Sequence, residues 1–180
     1  MDEAKKIAER IDIVLDSTRD GLTARIINPA LIETQDYSID YHILLPSKTR
    51  LEFETHNGAI NVERMLDPTH LLTHNGSIDC LQVSGRVQAQ THNGPVRIRY
   101  DKENLNPLDT NISTHNGSIE IDTPDDLSAL LNISTHNGSI NVVRPVTVSG
   151  RIEKNYLDGR IGTGDGRIFL RTHNGSVTLR

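Results

Sequence analysis

Apolar and polar residues alternate over short stretches from Leu51 to the end of the chain. Successive side chains of a β-strand point to opposite faces, so this alternation predicts strands with one buried and one solvent-facing side. Before the turns the predicted inward residues are Leu51, Phe53, Thr55, Val87, Ala89, Thr91, Leu131, Ile133 and Thr135. After the turns they are Ile60, Val62, Ile78, Cys80, Val96, Ile98, Tyr100, Ile119, Ile121, Ile140, Val142, Val177 and Leu179. The residues between them are polar and are expected to face water.

Six of the turns between these strands share one sequence, the tetrad Thr-His-Asn-Gly. Apart from the histidines, its residues are Thr55, Asn57, Gly58, Thr73, Asn75, Gly76, Thr91, Asn93, Gly94, Thr114, Asn116, Gly117, Thr135, Asn137, Gly138, Thr172, Asn174 and Gly175. Successive tetrad glycines are 18, 18, 23, 21 and 37 residues apart, and the last step is too long for one repeat. Asp158-Gly159 is therefore predicted as a seventh, degenerate copy. A second set of turns is predicted at Ser84-Gly85, Ser149-Gly150 and Asp165-Gly166.

The residue types of the tetrad suit a tight turn. Glycine adopts positive φ without a Cβ clash, and asparagine tolerates left-handed geometry beside it. Threonine, at the inward end of each strand, is expected to point its methyl group into the core and to bond the turn backbone through its hydroxyl. These three positions are therefore predicted to have turn and ladder roles.

Two all-β folds fit the repeat. One is a parallel β-solenoid or β-helix of about seven coils, in which tetrads stack about 4.8 Å apart and identical side chains form ladders. The alternative is an antiparallel β-meander that closes into a barrel or sandwich, because Asn-Gly is a strong hairpin signal. The recurring histidine favours the solenoid, since a hairpin needs only Asn-Gly.

The N-terminal residues 1–48 lack the repeat and are predicted as a cap on the repeat array of residues 49–180, continuous with it as one domain. The cap is predicted to contain a short helix over residues 2–10, a hairpin of strands 11–15 and 22–27, and a long strand from Tyr37 to Leu45.

The histidines are the tetrad residues with the widest choice of roles. In a stacked array His56, His74, His92, His115 and His136 form an outward column, which is interrupted at Leu157 and resumed at His173. An exposed ladder of stacked rings is one interpretation, and a zinc or nickel site of neutral imidazoles is another, although no Cys or carboxylate within the tetrad completes it. A pH response is the third, because charged imidazoles about 5 Å apart repel each other, which predicts a depressed mean histidine pKa.

Charge and composition exclude several partners. A net charge of −5 without a basic cluster argues against nucleic acid as a partner. The single Cys80 excludes an internal disulfide framework. The sequence has no signal peptide or membrane span, which favours a cytoplasmic location for the chain as given. The last predicted strand, Val177 to Leu179, has no polar cap, so we expect either a homo-oligomer through an uncapped C-terminal coil or a further C-terminal segment in a longer protein.

No nucleophile elbow, Walker loop or His-Glu-x-x-His helix occurs in the sequence, so a non-enzymatic protein is expected. A glycan-processing enzyme of the kind built on some β-helices is the weakest alternative. It would require a cleft lined with paired carboxylates.

Three features together carry a family resemblance: the predicted strand ending in Leu45-Pro46, the run from Leu51 to Val62, and Thr-x-Asn-Gly-Ser-Ile followed by Val83-Ser84-Gly85 or Val148-Ser149-Gly150. Over residues 37–180 the chain resembles the bacterial putative-adhesin family of β-strand repeat proteins, a domain of unknown function. The resemblance implies a β-solenoid or β-helix-like fold and a structural role, or binding to a protein or cell-envelope component, with no catalytic residues to carry over. It also implies cell-envelope association if the chain is part of a longer protein. The repeated histidine departs from the family pattern, where that place is variable.

Overall fold

A computed structural model describes residues 12–18, 21–27, 41–102 and 108–180, and these residues are all-β. The described part of the chain contains no helix, and so no candidate for a helical membrane span. The chain divides into two compact units, residues 1–45 and 46–180.

The described residues of the first unit include an antiparallel hairpin. Strand β1 (Asp12–Thr18) pairs with β2 (Gly21–Ile27), with Thr18 opposite Gly21, so the predicted hairpin is confirmed. The predicted helix over residues 2–10 lies outside the described residues, as do residues 37–40 of the predicted long strand. Residues 41–45 are described and form no strand, so that part of the prediction is wrong. Alternation produces a strand only when one face is buried, whereas Leu44 is 84% exposed and Ile43 is 40% exposed.

The described residues of the second unit, 46–102 and 108–180, form 14 strands in two mostly parallel sheets. The eight-stranded sheet has the order β13-β14-β11-β15-β9-β7-β5-β3, and the six-stranded sheet has the order β12-β16-β10-β8-β6-β4. The strands are β3 (Leu51–Asn57), β4 (Ile60–Glu63), β5 (Thr69–Asn75), β6 (Ile78–Val83), β7 (Arg86–Asn93), β8 (Val96–Tyr100), β9 (Asp109–Asn116), β10 (Ile119–Asp122), β11 (Ala129–Asn137), β12 (Ile140–Val142), β13 (Thr147–Glu153), β14 (Tyr156–Ile161), β15 (Gly166–Asn174) and β16 (Val177–Leu179). The tetrad-bearing strands pair in parallel, which is not the pairing of an antiparallel meander.

The core is a single hydrophobic cluster to which both sheets contribute. The predicted inward residues are buried or half-buried, and outward residues such as Glu52, Asn61 and Arg97 are exposed, so the assignment of faces is confirmed. Leu71, Ile112 and Ile133 are completely buried. Aliphatic and threonine side chains fill most of this core, in keeping with an aromatic content of 3%.

The last two strands of the chain lie inside the sheets, each paired on both sides. Strand β15 pairs with β9 on one side and β11 on the other, and β16 lies between β10 and β12. The predicted exposed C-terminal strand is therefore wrong, because Val177 and Leu179 are fully buried. Self-association of the chain stays a prediction, and this strand does not support it.

Charge pairs match this strand order. Asp109 on β9 lies between Arg86 of β7, at 2.6 Å, and Arg167 of β15, at 3.6 Å. Asp122 on β10 likewise lies 3.5 Å from Arg99 of β8 and 3.5 Å from Arg180, which follows β16. Asp109 thus links β7 to β15, and Asp122 links β8 to the residue that follows β16. In both cases a strand that stacks in sequence order is joined to one of the two C-terminal strands.

The predicted seventh turn is also wrong, because Asp158 and Gly159 lie within β14. The turn of this segment is at Lys154-Asn155, and it joins β13 to β14 as an antiparallel hairpin. Glycine is required at position 159 by close packing, since a Cβ there would lie 2.6 Å from Val146 Cγ1. The predicted turn at Ser149-Gly150 falls inside β13, where the pairing with β14 changes register.

Candidate functional site

The six tetrads meet along one edge of the second unit, which we call the tetrad edge. Thr55, Thr73, Thr91 and Thr114 are in register from strand to strand, and Thr172 and Thr135 continue the row in that order. The sixth tetrad in the sequence is thus the fifth in space. Identical residues come together because every tetrad ends its strand at the same height.

Threonine and asparagine form two ladders along the tetrad edge. Each threonine hydroxyl after the first donates to the glycine carbonyl of the neighbouring tetrad, with distances of 2.8–3.2 Å. Each asparagine Nδ2 after the first donates to the Oδ1 of the neighbouring asparagine, with distances of 2.7–2.8 Å. These threonine and asparagine side chains therefore find hydrogen-bond partners within the tetrad edge itself.

The glycines are required mainly by the close approach of neighbouring turns. A Cβ on Gly76, Gly94, Gly117, Gly138 or Gly175 would lie 1.9–2.1 Å from a glycine carbonyl oxygen in the adjacent tetrad. Gly58, at the end of the row, has nothing within 4 Å of such a Cβ, but it has a φ of +124°. Positive φ, the reason expected from the sequence, is absent at Gly76, Gly117 and Gly138.

The histidines form one continuous outward stack, the histidine column. Its order in space is His56, His74, His92, His115, His173 and His136, with ring centroids 4.6–4.9 Å apart and ring planes within 6° of parallel. All six are exposed. The predicted interruption at Leu157 does not occur, because β15 places His173 between His115 and His136, and Leu157 is buried on β14.

Electrostatics make His173 the distinctive member of the column. Partial loss of hydration lowers the pKa of His173, and the neighbouring His136, His115 and Arg171 lower it further through their positive charge. The imidazole at the centre of this group therefore resists protonation.

Stacked rings are poorly placed for a metal ion. Two imidazole nitrogens on one zinc ion each lie about 2.0–2.1 Å from the metal, so they are at most about 4.2 Å apart. Parallel rings 4.6–4.9 Å apart direct their in-plane lone pairs along parallel lines instead of towards one point. Within the described ranges no group of three or more His, Cys, Asp or Glu could hold a metal ion. The zinc or nickel hypothesis has no geometric support.

A groove follows the histidine column on the outer face of the eight-stranded sheet. It is lined by residues of β7, β9, β15 and β11, including Ser113, Arg171 and Ser134 beside the imidazoles. A second pocket, at the β13–β14 hairpin, shares Ser134 with this groove and contains the carboxylates of Glu153 and Asp158.

Sequence reasoning missed Arg171 and its serine neighbours. Alternation does place Arg171 outward, two residues before His173. The register that puts Ser113 and Ser134 on either side of it depends on the insertion of β15 between β9 and β11. The spacing of the repeats carries no sign of that insertion.

Comparison with known proteins gives a family and a fold. Residues 45–156 match the model of a domain of unknown function, DUF7330. The chain belongs to the DUF7330 family. The DUF7330 match contains the first five tetrads and ends before β15, the strand of Arg171 and His173. No curated protein sequence matches this DUF7330 chain.

One solved structure similar to the DUF7330 chain is described as a putative cell adhesion protein from Clostridium sporogenes. It is 15% identical, with a TM-score of 0.57, and the alignment covers 94% of this chain and 76% of that one. At this identity the likeness shows the fold alone. The resemblance seen in the sequence is confirmed in part: the DUF7330 family is a domain of unknown function, and the adhesion name belongs to the structural neighbour.

Proposed function

We propose that this chain is a non-enzymatic interaction domain, stacked as a β-solenoid, whose eight-stranded sheet presents its outer face to a protein or cell-envelope component. The observation that carries the proposal is that the tetrad residues differ in what they contact. Threonine, asparagine and glycine bond or pack against their counterparts, whereas the histidine column is exposed on an aligned sheet face. The two ladders run beside the histidines, which lie on strands in register along that face.

Two further features support a binding role for this face. Leu130 and Phe169, on neighbouring strands, are 48% and 40% exposed and supply apolar contact area beside the polar groove. The similar structure from Clostridium sporogenes is described as a putative cell adhesion protein, which agrees with a binding role without identifying a partner.

A sedimentation assay with cell-envelope fractions tests the proposal. We expect the double variant Leu130→Ser/Phe169→Ser to lose binding. The matched variant Leu81→Ser/Val143→Ser, with exposed apolar residues in and beside the six-stranded sheet, should bind like the parent. Equal loss in both variants, absence of binding by the parent, or hydrolysis of a glycan substrate would each contradict the proposal.

The second candidate function is a pH-responsive module. The observation that favours it is the unbroken stack of six exposed imidazoles, because protonation of adjacent rings places like charges 4.6–4.9 Å apart. The charged residues one row away on the same face are Glu54, next to His56, and Arg171, next to His173. NMR titration tests this candidate: we expect the pKa of His173 to lie below the ordinary histidine value, and a pKa of His173 at or above that value would reject it.

A further inference from the structure

Arg171 differs from most other arginines on the outer sheet faces. Arg86 and Arg167 share Asp109, and Arg99 and Arg180 share Asp122. In the described part of the chain no carboxylate forms an ion pair with Arg171, although its side chain is exposed on β15. A guanidinium group carries five N–H donors in a planar fork, so this cation can accept an external ligand.

The residues around Arg171 extend the donor set. Ser113 of β9 and Ser134 of β11 lie directly opposite it on the two flanking strands, and the next row contains His115, His173 and His136. Hydroxyl and imidazole groups can donate to an oxyanion and can also accept from a sugar hydroxyl. Of the described residues that line this groove, none is acidic. The groove therefore combines one unpaired positive charge with neutral donors and acceptors.

We propose that the groove around Arg171 binds the carboxylate of an acidic glycan, such as a uronic acid residue in a chain. This inference rests on the proposed interaction function, since it names a ligand for the same face. Arg171 would hold the carboxylate in a bidentate pair, and the serine hydroxyls would bind the sugar hydroxyls beside it.

The geometry favours a glycan over an acidic peptide. An extended peptide commonly binds by adding a strand to an open sheet edge, where main-chain groups are unpaired. Strand β15 is paired on both sides and offers no such edge at Arg171. The adjoining pocket shares Ser134 with the groove and adds Asn155 and Tyr156, which can bond to hydroxyls or pack against a sugar ring. Its carboxylates, Glu153 and Asp158, can accept from sugar hydroxyls but repel a uronate, so the bound carboxylate belongs at Arg171 and not in this pocket.

Calorimetric titration of the full chain with oligogalacturonate tests the inference. We expect saturable binding that is lost when the sugar carboxylates are methyl-esterified. Arg171→Gln should weaken affinity about tenfold or more, because a charge-assisted pair is removed. The control Arg167→Gln, four residues away on the same face of β15 and paired with Asp109, should bind within about twofold of the parent. Circular dichroism would verify that both variants are folded.

Several results would overturn the inference: equal binding of the esterified oligomer, equal loss in both arginine variants, equally tight binding of polyglutamate, or binding of dextran sulfate without oligogalacturonate. The outcome is separable from the wider proposal. If envelope binding depends on Leu130 and Phe169 while no uronate binds, the glycan assignment fails and the interaction function stands. If uronate binds through Arg171 while envelope binding is absent, the glycan site stands and the envelope partner is wrong.

Discussion

Removal of the C-terminal strands should unfold the second unit, although they come last in the chain. A chain that ends at Gly164 lacks β15 and β16, and with them Ile168, Leu170, Val177 and Leu179, which are 0–1% exposed. Each buried aliphatic side chain contributes about 1.5–3 kcal/mol, so the loss is about 6–12 kcal/mol. A typical domain has a free energy of unfolding of about 5–15 kcal/mol, so the truncated chain should not retain its fold.

Urea unfolding followed by circular dichroism measures this effect. The full chain should unfold cooperatively, and the chain ending at Gly164 should show no cooperative transition. The point variant Leu170→Ala should lose about 2–5 kcal/mol, whereas Val143→Ala, at a residue that is 64% exposed, should lose less than about 0.5 kcal/mol. A truncated chain with native sheet content and stability within about 2 kcal/mol of the parent would refute the placement of β15 and β16 between other strands.

Four further outcomes follow from the tetrad edge and the core. Gly117→Ala should lower the free energy of unfolding by about 3 kcal/mol or more, because the added Cβ separates adjacent turns. Gly58→Ala, which introduces strain in φ alone, should lower it by about 1–2 kcal/mol. The reverse order in urea unfolding would contradict the packing argument. Asn116→Ala should cost about 1–2 kcal/mol because it breaks two ladder bonds, and an unchanged midpoint would count against them. Burial, aided by a neighbouring aspartate, raises the pKa of Cys80 to about 12, so thiol labelling at pH 8 should require unfolding; rapid labelling of the native protein would oppose this. The pKa of His173 is lowered in the folded state, so this residue binds a proton more readily in the unfolded chain. The melting temperature should therefore fall as pH drops from about 6.5 to the folded-state pKa of His173, and level off below it. A rise in melting temperature towards pH 5 would contradict this.

The inward and outward faces of the strands were predictable because the signal is local. A period of two residues assigns each side chain to a face without knowledge of its neighbours. For this reason Val87, Ile98 and Ile133 were placed correctly in the core. Which strand lies beside each of them does not follow from this period, because strand pairing depends on residues far apart in the chain.

Strand order was not predictable from the tetrad because its six copies are identical. Any tetrad can pair with any other, so repetition gives no reason to place His173 between His115 and His136. The distinguishing signal lies at the other end of the strands. Asp109 pairs with both Arg86 and Arg167, and this charge pattern agrees with β15 lying next to β9. Opposite charges in register stabilise adjacent strands, whereas like charges oppose them.

The false seventh turn has a related cause. Asp-Gly is a turn signal when the glycine is needed for its backbone conformation. Gly159 is needed because Val146 and Thr147 pass too close for a Cβ, and sequence alone does not separate these two reasons. The actual turn, Lys154-Asn155, has no glycine and so carries the weaker signal.

The insertion of β15 links the stability of the fold to the candidate binding face. The same strand contributes Leu170 to the core, His173 to the histidine column and Arg171 to the groove. Inward and outward residues alternate along β15. A substitution of an outward residue can therefore remove a ligand contact without opening a cavity. A substitution of an inward residue weakens the packing of the stacked strands that align the face. Loss of binding after a change in β15 therefore assigns a contact only if the unfolding midpoint is unchanged, and Arg171 is the position where these two effects separate most cleanly.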